Sequence, residues 1–216
     1  GVNIDSLERS GADVVHISPS HHFPTGTVTP ASRRYELLGW AAKQEGRYII
    51  EDEYDSEFRL VGNPIPALQS IDASDKVIYM NTFSKSLSST IRISYMVLPI
   101  PLMVRYNHVL SFYACTVSNF DQYTLTRFIQ EGYLEKHINR MRKFYRNSRD
   151  RILGCIRNHR LYPQVTIKEE NAGLHFLMEI DTSYTDREMV DRAAAAGINI
   201  SSLSQYCHGK EQEDSH

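Results

Sequence analysis

The sequence predicts an α/β protein with a mostly parallel sheet and flanking helices, on three observations. Short, largely apolar runs at residues 14–17, 48–50 and 77–80 each end in a cluster of polar side chains. Segments with helical spacing separate those runs, which is the alternation that makes βαβ units. A long stretch at 133–159 then carries Leu134, Ile138, Met141, Tyr145, Ile152 and Ile156 at helical spacing.

The elements follow in order. A short helix at 4–9 leads into a strand at 14–18. Thr29-Pro30 opens an amphipathic helix through Leu37, Leu38 and Ala41, with Gly46 expected to close it. Strands are expected up to Asp52, at 77–82 and at 93–98, then helices at 102–112 and 122–131. The long helix bridges to a strand at 174–180, a helix at 186–196 capped by Gly197, and an extended piece at 198–201. The polar tail 209–216 is expected to fray.

Three strand ends carry the chemistry. Thr82-Phe83-Ser84-Lys85-Ser86-Leu87 closes one apolar run, with Arg92 further along. An amine beside a cationic phosphate clamp can hold a phosphorylated aldehyde as a Schiff base, although Ser-Lys pairs are also common in plain surface turns. Tyr48-Ile49-Ile50 enters Glu51-Asp52-Glu53-Tyr54-Asp55. Alternation along a strand points Asp52 and Tyr54 the same way and Glu53 the other, so a carboxylate and a phenol address one flat ring. A solvated acidic loop is the plainer alternative. The third end is Ser18-Pro19-Ser20-His21-His22-Phe23-Pro24-Thr25-Gly26. Without a further clustered ligand at suitable spacing, His21 and His22 are not read as a metal site. His175 is read as a core or interface histidine.

Taken together, these segments resemble the pyridoxal-phosphate aminotransferases of fold type I, and within them the aminotransferase-like domain of MocR-type GntR transcriptional regulators. Pro66-Ala67-Leu68-Gln69 and Gly173-Leu174-His175-Phe176 extend the likeness over nearly the whole chain. The form S-P-S-H-x-F-P-T-G separates the MocR type from ordinary aminotransferases. The resemblance implies Lys85 as the Schiff-base lysine and, once released, a general base. It implies Asp52 as partner of the pyridine nitrogen and Tyr54 as donor to the ring hydroxyl oxygen. Thr82, Ser84 and Arg92 would bind the phosphate, and His21 would lie beside the cofactor, pyridoxal 5'-phosphate. It also implies part of the large, cofactor-binding domain at 1–132, a connecting helix at 133–160 and part of the small C-terminal α/β domain at 161–216.

Departures matter too. The family pattern P-G-L-R-x-G-Y reads Ser89-Thr90-Ile91-Arg92-Ile93-Ser94-Tyr95 here, so positive φ at the two former glycines would be costly. The family's domain begins before Gly1 and runs past His216, which implies a fragment whose hold on the cofactor is weak or lost. DNA would be met only through a winged-helix domain preceding this part, with pyridoxal phosphate or an amino compound as effector and a homodimer as the assembly. A working aminotransferase and a purely structural fragment remain the alternatives.

Composition agrees with a globular α/β piece: 216 residues, 41% hydrophobic, net charge −2. Three separated cysteines without C-x-x-C spacing predict reduced thiols in a cytoplasm. No signal peptide is read, and no apolar run reaches membrane-spanning length. Lys136, Arg140, Arg142, Lys143, Arg146, Arg149 and Arg151 form a basic stripe, expected to be a solvated face rather than a contact for nucleic-acid phosphates.

Overall fold

The computed structural model describes residues 1–62, 65–171 and 173–206. Helix α1 (Ile4–Ser10) starts where the Asn3 side chain accepts from the Ser6 N–H at 2.9 Å, and stops at Gly11, whose φ of 67° ends the helix. Strand β1 (Val14–Ile17) follows, then α2 (Ala31–Ala42), entered from Pro30. This helix ends before the expected Gly46. In the turn beyond it, the Lys76 ammonium holds the carbonyls of Gln44 and Glu45 at 3.0 and 2.6 Å.

Strand β2 (Tyr48–Glu53) is followed by the one-turn helix α3 (Leu68–Ile71), β3 (Val77–Thr82), the one-turn helix α4 (Phe83–Ser86) and β4 (Ser94–Val97). The sheet runs β1-β2-β3-β4; the first three are parallel, and β4 is antiparallel to β3 with Thr82 opposite Ser94. Leu7, Ile17, Leu37, Trp40, Ala41, Ile49, Leu68 and Val77 form the core where α1 and α2 lie on the sheet. Burial of the Leu, Ile and Val side chains among them is worth about 1.5–3 kcal/mol each. A polar bond reinforces the same face: the buried Glu51 carboxylate accepts from the Leu68 and Gln69 N–H groups, at 2.7 and 2.9 Å, at the start of α3.

Beyond the sheet come α5 (Ile100–Leu110), α6 (Asn119–Gln130) and α7 (Tyr133–Arg157). Strands β5 (Val165–Lys168) and β6 (Leu177–Ile180) pair antiparallel as a separate ribbon, and α8 (Asp186–Ala195) starts with a Thr185/Glu188 capping box. Strand β5 is not anticipated by the sequence reading, while residues 198–201 form no strand. The tail 209–216 lies outside the described residues. No helix among the described residues is long and apolar enough to cross a membrane.

Part of the basic stripe of α7 is structural. Arg142 donates to the Glu57 carbonyl, Arg146 to the Leu60 carbonyl at 3.0 Å, and Arg149 to the Glu170 carbonyl at 2.9 Å. Tyr145 meets Phe58 edge-on with centroids 5.3 Å apart. The helix therefore ties the segment after β2 to the end of β5.

Candidate functional site

The last residues of β2 and the two that follow divide by the alternation of a pleated strand. Glu51 and Glu53 are buried on one side, whereas Asp52 and Tyr54 are turned the other way and line a cavity of about 680 Å³, which the buried Asp55, past the strand's end, also borders. His16, from β1, lies on the same side as Asp52 because the parallel register sets it opposite Ile50; its Nε2 is 3.2 Å from Asp52 Oδ2. The Tyr54 hydroxyl donates to the His21 carbonyl at 2.9 Å and stands 3.2 Å from His21 Nδ1. Burial, and then the charges of Asp55, Glu53 and Asp52, push the phenol above its usual pKa, so it stays a protonated donor at neutral pH.

Lys85 reaches the same cavity from α4. That helix begins directly at the end of β3, with Thr82 Oγ1 accepting from the Ser84 N–H at 3.2 Å, and its single turn swings Lys85 to the exposed side. The amine of Lys85 and the carboxylate of Asp52 thus share one chamber.

The expected phosphate ligands are placed differently. Thr82 Oγ1 donates toward Ser84 Oγ at 3.1 Å and the Ile93 carbonyl at 3.3 Å, while Ser84 Oγ donates to the Ile91 carbonyl at 2.9 Å. Arg92 is exposed and lines a second cavity of about 500 Å³, with Ser118, Asp121 and Phe128 of the α6 region. Among the described residues, positive φ outside glycine occurs only at Asp75 and Glu169, so the loop around Thr90 and Ser94 runs without it.

His21 sits behind the cavity wall, 2% exposed. Its Nδ1 is 2.8 Å from Asp55 Oδ2, and its ring lies 4.2 Å, centroid to centroid, from that of His175. Asp55 Oδ2 also accepts from the Leu174 N–H at 3.2 Å, and His175 Nε2 is 3.2 Å from the Pro24 carbonyl. Gly173 makes this closeness feasible: a Cβ there would stand 1.9 Å from His21 Nδ1. Burial lowers the pKa of His22, and burial followed by His21 lowers that of His175, so both rings are neutral at neutral pH.

Sequence reasoning passed over His16, Asp55 and His175 as members of this site. For His16 the period-two alternation of β1 was a usable signal. Asp55 and His175 meet His21 only through the tertiary fold, and no local spacing announces that meeting.

A three-stranded parallel core with an antiparallel edge, and an amine, an acid and a phenol at the strand mouths, define an aminotransferase-like protein of fold type I. The chain belongs to the aminotransferase class I and II family, whose model matches residues 4–209. It is 42% identical over 204 residues to the uncharacterized HTH-type transcriptional regulator YdeL of Bacillus subtilis, covering 94% of this chain and 44% of that protein. It is 33% identical to the probable rhizopine catabolism regulatory protein MocR of Rhizobium meliloti, covering 99% and 43%. Among solved structures, the kynurenine aminotransferase of Pyrococcus horikoshii superposes with a TM-score of 0.77 at 29% identity, covering 91% of this chain and 48% of that one. An archaeal alanine:glyoxylate aminotransferase gives a TM-score of 0.79 at 21% identity, covering 99% and 55%, and shares the fold. The chain thus spans less than half the length of these two curated relatives.

Proposed function

We propose that this chain is the effector-sensing and dimerising part of a GntR/MocR-type transcriptional regulator and that it binds pyridoxal 5'-phosphate. The observation that carries the cofactor reading is the convergence of Lys85, Asp52 and Tyr54 on one cavity of about 680 Å³. The descriptions of YdeL and MocR as regulators support the regulatory role. Homodimerisation, a cytoplasmic setting, DNA contact through a winged-helix domain outside this chain, and the division at 1–132, 133–160 and 161–216 belong to the same proposal.

The donor set fits the ring side of the cofactor. Asp52, steadied by His16, would keep a proton on the pyridine nitrogen, and a neutral Tyr54 would donate to the ring hydroxyl oxygen. Lys85 would take the aldehyde end with its amine and, when free, carry a proton at Nζ. When bound, pyridoxal phosphate supplies an electron sink beside the amino group it captures. Thr82, Ser84 and Arg92 would serve the phosphate after leaving their present partners and cavity. The His21 carbonyl, behind the wall, would hold the Tyr54 hydroxyl only until the ring oxygen takes its place as acceptor.

Titration of the purified chain with pyridoxal phosphate tests this. A visible absorption band should appear with the native chain and be missing in Lys85→Ala, and Asp52→Asn should weaken binding about tenfold, or about 1.4 kcal/mol. Amino compounds should then alter the band without sustained keto-acid release. Sustained release would favour a working aminotransferase, and a native chain with no Lys85-dependent band would refute the cofactor reading.

A further inference from the structure

We propose that His21, Asp55 and His175 form a binding site for a divalent transition-metal ion, with Zn2+ the ion whose ligand preferences they fit. The three side chains come from three separate segments: the loop after β1, the turn after β2 and the loop before β6. One donor atom of each can be chosen so that all lie within 4.8 Å of one another. Two imidazoles and a carboxylate are a common ligand set for zinc, which prefers nitrogen and oxygen donors at about 2.0–2.2 Å in a tetrahedron.

The surroundings support ligation. The His175 Nε2–H is directed at the Pro24 carbonyl, 3.2 Å away, which leaves Nδ1 with its lone pair. A backbone carbonyl on the far nitrogen is the usual way of orienting a metal-binding histidine. His21 Nδ1 and Asp55 Oδ2 are 2.8 Å apart, so an ion would take the place of the proton between them. With the ion on Nδ1, the His21 proton sits on Nε2, which is buried and has no hydrogen-bond partner among the described residues, so His175 rather than His21 carries the oriented second nitrogen. Donors around a tetrahedral ion stand about 3.3 Å apart, so the widest pair has to close by about 1.5 Å. His175 lies in an irregular loop that can supply this movement. Asp55 and His175 both line the cavity, which gives the ion a route in and a fourth, solvent-facing position.

The test is titration of the purified chain with Zn2+ by calorimetry and with Co2+ by visible absorption, both without pyridoxal phosphate. Saturable binding with a tetrahedral cobalt spectrum is expected. His175→Gln and Asp55→Asn should each weaken it at least about tenfold, while His108→Gln on α5 leaves it unchanged. His21→Gln removes a buried ring; where it does not fold, the half-buried His175 carries the test, with circular dichroism confirming the fold. Absence of saturable binding overturns the proposal, as does binding that His175→Gln and Asp55→Asn leave intact. The outcome is independent of the Lys85-dependent band.

Discussion

Glu53 closes β2 on its buried side, 3% exposed, with Oε1 lacking any hydrogen-bond partner among the described residues. Burial, aided by the nearby charges of Glu51 and Asp55 and opposed by Ser20 and Arg34, raises its pKa from 4.5 to about 7. Between those values the folded chain holds a proton that the unfolded chain has released, so stability falls as pH rises through that window and levels off above it. The contribution is on the order of 3 kcal/mol. Glu53→Gln should flatten this slope and stabilise the chain above neutrality; urea unfolding at about pH 5 and about pH 8 checks it, and a native chain as stable at the higher pH as at the lower would contradict it. Asp52 and Tyr54 were legible in the sequence, because alternation alone sets them on one side. The linkage of Asp55 to His21 was not, since the two meet through the fold and through a glycine far along the chain.

At the scale of elements, α7 is a strut whose basic residues do unequal work. Arg149 is 13% exposed at its side chain and donates to the Glu170 carbonyl, whereas Arg140 is exposed. Arg149→Ala should lower stability by about 1–2 kcal/mol and Arg140→Ala by no more than about 0.5 kcal/mol, measured by chemical denaturation. Equal losses would mean that the carbonyl contact is idle. The hydrophobic spacing that made α7 legible says nothing about which arginines find carbonyls. Strand β5 carries little sequence signal for a related reason: Val165-Thr166-Ile167-Lys168 is short, and its turn toward β6 uses Glu169 at a φ of 56°, where no glycine marks it. Likewise α2 ends at Ala42, ahead of Gly46, and the turn beyond it is held by Lys76, a residue remote in sequence.

Over the whole molecule, the core is lopsided. The side carrying α1 and α2 is closed, whereas β4 is exposed along its length and α5 and α6 contain no buried residue. Phe112, Phe120 and Tyr123 are 75%, 78% and 73% exposed. Aromatic surface of this extent drives association in water. Sedimentation velocity of the isolated chain should show species heavier than 24.8 kDa that grow with concentration, and Phe120→Asp with Tyr123→Asp should raise the monomer share. A sharp monomer at every concentration would count against it. The overall α/β plan was visible in the strand–helix alternation, but this asymmetry was not, since apolar residues at helical spacing look alike whether a helix is covered or bare.

Gly173 leaves room for the His21 ring by having no side chain of its own. An absent methyl thus acts as a keyhole: the loop after β1 seats itself against the loop before β6. A graft of either loop onto a foreign scaffold would therefore have to bring its counterpart along.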